Sequence, residues 1–267
     1  MRTVAELMSL SGRKALLTGG AGNIGRAIGE ALVEMGATVA VLDVDEAACR
    51  KTASELSGSK SGGAVALPCD LADEHATRAS VASAVERLGG LDILIHCAGF
   101  VGTTSYPGWA VPFGDQTVDA WDAAMRVNLT SAFMLSQSAH RPLAASGHGA
   151  ICFISSIYGI VGPDMRLYEG TTMANPVAYG ASKGGLIQLT RYLATLMGPA
   201  VRVNCVSPGG IFADQPEVFV SRYERRTPLG RMGAADDLKG SVVYLVSDLS
   251  AYVTGHNLVV DGGWTAW

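Results

Sequence analysis

The sequence predicts an α/β fold, in which a doubly wound parallel sheet of about seven strands carries helices on both faces. Short apolar runs alternate with longer amphipathic segments along the chain of 267 residues. Runs that are apolar throughout are typical of strands covered on both faces. A regular alternation of strands and helices produces right-handed crossovers and a parallel sheet. No linker or low-complexity tract divides the chain, so a single domain over residues 1–267 is predicted.

Seven segments have the length and apolar character of buried strands. In chain order they are KALLT (14–18), ATVAVLD (37–43), GAVALPC (63–69), LDILIHC (91–97), AICFIS (150–155), VRVNCVS (201–207) and NLVVD (257–261). The segments between them repeat apolar residues every three or four positions, as amphipathic helices do. In such a sheet, ligands bind beyond the carboxyl ends of the strands, so functional residues are expected there.

Composition and charge restrict the class of protein. Apolar residues make up 48% of the chain and charged residues 16%, which favours a buried core over a disordered chain. The net charge of -4 provides no basic surface for nucleic acid. The first residues lack the apolar run of a signal peptide, and no stretch of about 18 apolar residues could cross a bilayer. A cytoplasmic protein without nucleic-acid or membrane partners is therefore expected.

The five cysteines are odd in number and lack the CxxC spacing of metal and redox sites. They are Cys49, Cys69, Cys97, Cys152 and Cys205, and most of them lie in apolar, strand-like segments. We expect reduced core residues and predict no metal site.

A glycine-rich turn, TGGAGNIGRAIGEAL, follows the first predicted strand. Gly20, Gly22 and Gly25 form a GxGxxG pattern, which lets the backbone approach a pyrophosphate while the following helix offers unpaired N–H groups. Asp43 closes the second strand 18 residues after Gly25. A carboxylate there accepts hydrogen bonds from the adenosine ribose and repels a 2′-phosphate, so a Rossmann-like site for NAD rather than NADP is predicted. The alternative is that Asp43 is an ordinary turn residue.

Further short motifs occur in a fixed order along nearly the whole chain. They are Thr18, Gly19 and Gly25 in the first turn, Asp70 with Leu71, Ala98 with Gly99 in HCAG, Asn128, Ser156, Tyr179 with Lys183 in YxxxK, Pro208 with Gly209, and VDGG at 260–263. Any one of these motifs is common by chance, whereas the ordered set resembles the short-chain dehydrogenase/reductase family in its NAD-preferring form. The resemblance implies an oxidoreductase that acts on CH–OH groups.

The resemblance also implies roles for individual residues. The implied catalytic residues are Asn128, Ser156, Tyr179 and Lys183. The implied contacts to NAD are Gly19, Gly22, Asn23, Ile24, Gly25, Asp43, Asp70, Leu71, Ala98, Gly99, Tyr179, Lys183, Pro208, Gly209 and Ile211.

Two tyrosines in the segment YEGTTMANPVAYGASKGG compete for the catalytic role. Tyr179 has Lys183 at the spacing that places two side chains on one face of a helix, whereas Tyr168 has a threonine there. An ammonium group in a partly desolvated cleft, together with a positive nicotinamide, is expected to lower the phenol pKa from about 10 to about 7. Tyr179 is therefore predicted to exchange the proton and Ser156 to bind the substrate oxygen. The structural alternative is a half-buried phenol and a turn serine.

The resemblance implies that Asn128 holds a water linked to Lys183. Three positions of the sequence depart from the family's pattern. Asn23 stands where a glycine is usual; asparagine tolerates a positive φ better than most residues, and Gly22 is the alternative for this role. His96 replaces an amide and is expected to be buried and hydrogen-bonded rather than catalytic. Ala213 replaces a threonine, so nicotinamide orientation is expected to depend on backbone groups near Ile211.

An unusually long loop precedes Tyr179. Ser156 and Tyr179 are 23 residues apart, roughly ten more than the family spacing, and such an excess is typical of a functional loop. We expect this loop to contact a polar substrate, such as a polyol, a sugar-like compound or a nucleotide sugar, through Arg166, Tyr168 or Glu169. A plain surface insertion is the alternative.

Two substrate loops are thus predicted, at about residues 157–177 and 210–233. The second loop carries Arg222, Arg225 and Arg226, which indicate either an anion-binding lid or a solvated helix face. Trp264 and Trp267 end the chain and suggest burial against another subunit. The resemblance implies a homotetramer or a dimer.

Three functions remain open at this point. The first is an NAD-dependent dehydrogenase of a secondary alcohol. The second is a carbonyl reductase similar to 3-oxoacyl carrier-protein reductases, which Asp43 disfavours because those enzymes resemble NADPH users. The third is a non-catalytic NAD-binding regulator, which the complete set of Ser156, Tyr179 and Lys183 disfavours.

Overall fold

A single sheet of seven parallel strands forms the centre of the molecule. The computed structural model describes residues 1–58, 62–102 and 104–267. The strands are β1 (Lys14–Thr18), β2 (Thr38–Leu42), β3 (Gly63–Ala66), β4 (Ile93–His96), β5 (Gly149–Ile154), β6 (Val201–Pro208) and β7 (Asn257–Val260). All seven lie within the segments predicted from the sequence, give or take one residue, so the predicted doubly wound sheet is confirmed.

The strands are arranged in the order β3-β2-β1-β4-β5-β6-β7. The chain therefore moves outward in one direction from β1 and then returns to start the other half at β4. The last residues of these two central strands, Thr18 and His96, are directly paired. This switch point is where an open parallel sheet forms a ligand crevice.

Nine α-helices occur in the described part of the chain. They are α1 (Val4–Met8), α2 (Asn23–Glu34), α3 (Glu46–Ser57), α4 (Glu74–Leu88), α5 (Val118–Met125), α6 (Ser131–Ser146), α7 (Val177–Met197), α8 (Glu217–Glu224) and α9 (Lys239–Val246). A π-helical turn, Arg126–Thr130, joins α5 to α6. None of the helices described is both long and apolar enough to cross a membrane.

The strands bury side chains on both faces of the sheet. Leu17 of β1 packs in a core with α2, α3 and α9, whereas the adjacent Leu16 packs in a second core with α4, α6 and α7. Successive strand residues point to opposite faces, which explains why these strands are apolar throughout. All five cysteines are free thiols, and Cys49, Cys152 and Cys205 are fully buried.

A third, smaller core lies under the two predicted substrate loops. Leu167 of the first loop, Phe219 and Tyr223 of α8, and Trp264 of the C-terminal segment pack together in it. Trp264 is only 6% exposed within its own chain. The prediction that Trp264 is buried by another subunit is therefore wrong, because α8 and the first loop already cover it, whereas Trp267 is 77% exposed.

Candidate active site

The glycine turn after β1 packs too closely for side chains. A Cβ atom at Gly19, where φ is +64°, would lie 2.6 Å from the backbone nitrogen of Ala98, and one at Gly25 would lie 2.0 Å from the carbonyl oxygen of Gly19. The first turn of α2 therefore rests directly on the β1 turn, and its N-terminal N–H groups lie at the switch point of the sheet. This is the backbone cradle that a pyrophosphate needs.

Asn23 takes a different role from the one its conformational tolerance suggested. It is the first residue of α2, follows the N-cap Gly22, and does not have a positive φ. Its side-chain Nδ2 donates to the carbonyl oxygen of Phe212 over 3.3 Å. Asn23 thus links the glycine turn to the segment after β6, across the crevice, while Ile24 packs against the adjacent core.

Two acidic residues lie beside the crevice. Asp43 follows β2, and its Oδ2 accepts a hydrogen bond from the N–H of Ala21 over 3.0 Å. This contact positions the carboxylate next to the glycine turn, as the prediction of a ribose contact requires. Asp70 is exposed and accepts from the N–H of Ala72 over 2.8 Å, while Leu71 beside it is buried.

The opposite wall of the crevice consists of backbone after β6. Pro208 ends that strand, and the N–H of Gly209 donates to the carbonyl of Val260 over 2.9 Å. The Tyr223 hydroxyl accepts from the N–H of the next glycine, and Ile211 forms an isolated bridge with the backbone at 233. These bonds hold the chain near Ile211, where the contact to the nicotinamide is expected.

Ser156, Tyr179 and Lys183 come together beyond the end of β5. Ser156 caps a short 3-10 turn, and its Oγ accepts from the N–H of Tyr158 over 3.1 Å. The Tyr179 phenol lies close enough to the Ser156 side chain for that hydroxyl to lower its pKa. Nζ of Lys183 lies 5.7 Å from the centroid of the Tyr179 ring and donates to the carbonyl of Ile154 over 2.8 Å. The helical spacing therefore places Tyr179 and Lys183 on one face of α7, as predicted.

Burial determines the protonation of this group in the polypeptide alone. Burial raises the pKa of Tyr179, and the nearby Ser156 hydroxyl opposes that effect only in part. Burial also lowers the pKa of Lys183 to about 8. The predicted lowering of the Tyr179 pKa included the charge of a bound nicotinamide and stays a prediction; in the polypeptide alone, desolvation outweighs the other influences on the phenol. At neutral pH the polypeptide holds a protonated phenol beside a charged ammonium.

Asn128 lies in the π-helical turn and is fully buried. Its Oδ1 accepts from the N–H of Phe100 over 2.6 Å, and its Nδ2 donates to the hydroxyl of Ser182 over 2.9 Å. A Cβ at Gly99 would come within 3.1 Å of Asn128 Oδ1 and 3.5 Å of Lys183 Nζ. Asn128 thus joins the β4 turn to α7 directly beside Lys183.

The hydrogen bonds of His96 determine its tautomer. The Thr18 hydroxyl accepts from the N–H groups of Cys97 at 3.2 Å and Ala98 at 3.3 Å, so its proton is donated to Nδ1 of His96, at 2.9 Å. The ring proton is then on Nε2, which donates to the carbonyl of Asn128 over 3.3 Å. Burial, assisted by the charge of Lys183, lowers the pKa of His96 to about 3. The expectation of a buried, hydrogen-bonded histidine is confirmed.

Of the three predicted substrate contacts, only Tyr168 turns towards the Ser156 and Tyr179 side chains. Its hydroxyl lies 3.1 Å from that of Tyr158, and the phenol contributes to the raised pKa of Tyr179. The side chain of Arg166 is 75% exposed and pairs with Asp164. Glu169 is exposed as well, and its backbone carbonyl accepts from Arg222.

Two residues near this site were missed by the sequence analysis. Tyr158 follows Ser156 by two positions, and Asn175 precedes Tyr179 by four and donates from Nδ2 to the Tyr168 hydroxyl over 3.1 Å. Their closeness in the chain to predicted catalytic residues was the available signal. The packing of the long loop, which brings Tyr168 between them, was not visible in the sequence.

The arginines of the second loop hold the first loop in place. Arg222 donates to the carbonyl groups of Leu167 and Glu169. Arg226 pairs with Asp164, whose side chain is only 12% exposed. Because these two guanidinium groups bind protein acceptors, the prediction of an anion-binding lid is not supported for them. Arg225 is exposed.

A cavity of about 760 Å³ adjoins the site between the first loop and the segment 110–116. Tyr158, Asn175 and Gly180 contribute to its walls. Most of the remaining lining is apolar, including Ile160 and Met173. Its volume is in the range of small-molecule sites.

Comparison with known proteins identifies relatives along the whole chain. Residues 19–265 match the family model described as enoyl-(acyl carrier protein) reductase. The 2-(S)-hydroxypropyl-CoM dehydrogenase 3 of Xanthobacter autotrophicus is 35% identical, over 94% of this chain and 95% of the relative. The sorbose reductase sou1 of Schizosaccharomyces pombe is 32% identical, over 98% of this chain and 99% of the relative.

A solved structure has the same fold. A short-chain type dehydrogenase/reductase from Mycobacterium marinum superposes with a TM-score of 0.86. It is 31% identical in sequence, and the match covers 100% of both chains.

Proposed function

Because this chain belongs to the short-chain dehydrogenase/reductase family and is an oxidoreductase that acts on CH–OH groups, we propose that it transfers hydride between a polar secondary alcohol and NAD. The observation that carries this proposal is the position of Tyr179, which lies close to the Ser156 side chain and on the same helix face as Lys183, whose Nζ is 5.7 Å from the Tyr179 ring centroid. The names of the two curated relatives, one a hydroxypropyl-CoM dehydrogenase and the other a sorbose reductase, support a hydroxylated substrate.

The residues of the glycine turn fit a dinucleotide. The clashes that a Cβ would make at Gly19 and Gly25 indicate a turn built for close approach of backbone, and the α2 N-terminus offers N–H groups for a pyrophosphate. Asp43 is proposed to bind the adenosine ribose through its carboxylate, because it already lies against this turn. When bound, the nicotinamide accepts or supplies the hydride.

The proton is proposed to move through Tyr179. In alcohol oxidation the phenolate accepts the hydroxyl proton, and in carbonyl reduction the protonated phenol donates it. Ser156 is proposed to hold the substrate oxygen as charge develops there. The Lys183 ammonium favours the phenolate electrostatically, against the burial that raises the phenol pKa. Asn128 is proposed to keep Lys183 in place through Ser182, and its predicted contact with a water stays a prediction.

Turnover with a panel of polyols and ketoses, followed by NADH fluorescence, tests this function. Tyr179→Phe keeps the ring and removes the proton, so we expect turnover to fall by roughly 100-fold or more while NAD binding persists. Near-normal turnover in this variant would overturn the assignment. Tight NAD binding by the wild type without turnover of any substrate would favour the alternative of a non-catalytic regulator.

The cofactor preference has its own test. Exchanging Asp43 for Ala removes the negative charge that repels a 2′-phosphate, so relative use of NADP should improve. An unchanged preference would remove this role from Asp43. A wild type that prefers NADPH and reduces 3-oxoacyl substrates would support the carbonyl reductase alternative.

We also propose a homotetramer or dimer in the cytoplasm. Helices α5, α6 and α7 expose large apolar side chains at Trp121, Phe133, Tyr192 and Leu196. Exposed apolar groups on neighbouring helices are typical of subunit contacts. Five free cysteines suit a reducing compartment. Light scattering that gives a monomer at micromolar concentration would contradict the oligomer.

A further inference from the structure

The phenols of Tyr158 and Tyr168, beside the candidate site, present an unpaired donor. The hydroxyls of Tyr158 and Tyr168 lie 3.1 Å apart, so one donates to the other. Asn175 donates to the Tyr168 oxygen over 3.1 Å. Whichever phenol donates within the pair, the proton of the other has no acceptor in the described part of the chain. The side-chain oxygen of Asn175 likewise accepts no hydrogen bond there.

These polar groups are neighbours of each other and of Ser156. The backbone N–H of Tyr158 donates to the Ser156 hydroxyl, and the Tyr168 phenol influences the pKa of Tyr179. Tyr158 and Asn175 also line the cavity of about 760 Å³. The unpaired phenol proton therefore lies beside the candidate catalytic side chains and next to this cavity.

Among the residues that the structure describes, the arginines of this region are already paired with protein groups. The guanidinium of Arg226 lies 5.4 Å from the Trp264 ring centroid but pairs with Asp164. The guanidinium of Arg222 donates to two backbone carbonyls of the first loop. The adjoining cavity is lined mainly by apolar groups, in which a phosphate or carboxylate would be poorly solvated.

We propose that Tyr158, Tyr168 and Asn175 form a neutral subsite that binds a second hydroxyl group of the substrate. The substrate is then an uncharged polyhydroxylated compound, a polyol or a sugar, and not a nucleotide sugar, a sugar phosphate or a sugar acid. Substrate hydroxyls both donate and accept, so they match a subsite that offers a phenol proton together with an amide oxygen. This inference rests on the proposed function, because the subsite orients the alcohol that Tyr179 deprotonates.

The first experiment compares substrates with and without the second hydroxyl. Steady-state kinetics of the wild type with NAD are measured on a four- to six-carbon polyol, its deoxy analogues, its terminal phosphate and a simple secondary alcohol such as 2-butanol. We expect the polyol to have the highest kcat/KM. Removal of the hydroxyl that the subsite binds should lower kcat/KM by roughly tenfold or more. Equal or better turnover of the phosphate or a nucleotide sugar would overturn the neutral subsite.

The second experiment removes one hydroxyl from the protein. Tyr168→Phe keeps the ring that packs against Phe219, at a centroid distance of 5.3 Å. It should raise KM for the polyol by roughly tenfold, a loss several-fold larger than any change in kcat/KM for 2-butanol, because only the polyol has the second hydroxyl. Tyr192→Phe, the same exchange at an exposed position of α7, is the matched control and should change neither value. An equal loss on both alcohols would mean that Tyr168 is only structural, which would overturn the subsite.

Failure of the proposed function gives a different pattern, because turnover is then absent for every alcohol, including 2-butanol.

Discussion

Nε2 of His96 donates a hydrogen bond to the backbone carbonyl of Asn128, over 3.3 Å. This bond connects the end of β4 to the π-helical turn, and the other ring nitrogen accepts from Thr18 at the end of β1. A neutral imidazole therefore links the two central strands to the residue that adjoins Lys183. Protonation of the ring would remove the acceptor that Thr18 requires.

His96 should make the fold sensitive to acid. Its pKa is about 3 in the folded protein and about 6.5 when unfolded. Below pH 6.5 the unfolded chain takes up a proton that the native state does not, so stability falls as the pH drops towards 3. Between pH 7 and pH 5 this effect lowers the free energy of unfolding by about 2 kcal/mol, and the variant His96→Asn should lack that loss when its urea unfolding is compared with the wild type. His140→Asn, at an exposed histidine, is the control. If the free energy of unfolding of His96→Asn changes with pH as in the wild type, the prediction is contradicted.

Lys183 should reduce stability at neutral pH in return for its function. Its folded pKa of about 8 lies below the usual 10.5, so the buried ammonium is unfavourable below pH 8, and the penalty disappears as the pH rises to 10.5. Lys183→Met should abolish turnover. At pH 7 the variant should be more stable than the wild type because it lacks the buried charge, and this difference in the free energy of unfolding should shrink by on the order of 3 kcal/mol between pH 7 and pH 10.5. Lys51→Met, at an exposed lysine, should show no such trend. A pH-independent difference would disprove the buried charge.

Arg226 should control the geometry of the substrate loop through its pair with Asp164. Arg226→Met breaks this pair, so the first loop should loosen; we expect substrate KM to rise by roughly fivefold, about 1 kcal/mol, with NAD affinity unchanged. Limited proteolysis between residues 160 and 175 should become faster. Arg225→Met is the matched control because Arg225 is exposed, and it should behave like the wild type. A larger effect on NAD affinity than on KM would refute the prediction.

Gly25 should not tolerate even a methyl group. In Gly25→Ala the new Cβ would lie 2.0 Å from the carbonyl oxygen of Gly19, so the turn must move. NAD affinity should fall by roughly tenfold or more, and the melting temperature should drop. Gly240→Ala makes the same exchange in α9, where a Cβ meets nothing within 4 Å, and should stabilise the protein by about 0.5–1 kcal/mol. Calorimetry and NAD titration of both variants check this; similar results for the two would contradict it.

Local patterns in the sequence were enough to predict the sheet and the order of its strands along the chain. A short apolar run followed by turn residues, such as KALLT, which ends at Thr18, indicates a strand covered on both faces through its length and composition alone. Likewise, the four-residue spacing of Tyr179 and Lys183 requires only a helix to bring both side chains to one face. These features depend on near neighbours in the chain, which the sequence lists directly.

Only the tertiary structure decided which polar groups are already occupied and how far charges are buried. The sequence allowed Arg222 and Arg226 to bind an anion, but both guanidinium groups already bind oxygen atoms of residues some 50 to 60 positions away in the chain. Trp264 is covered by α8 and the long loop instead of by a second subunit. The pKa of Tyr179 rises because the surrounding protein excludes water. Desolvation and hydrogen-bond competition sum over every group packed around a side chain, and those groups come from distant parts of the sequence.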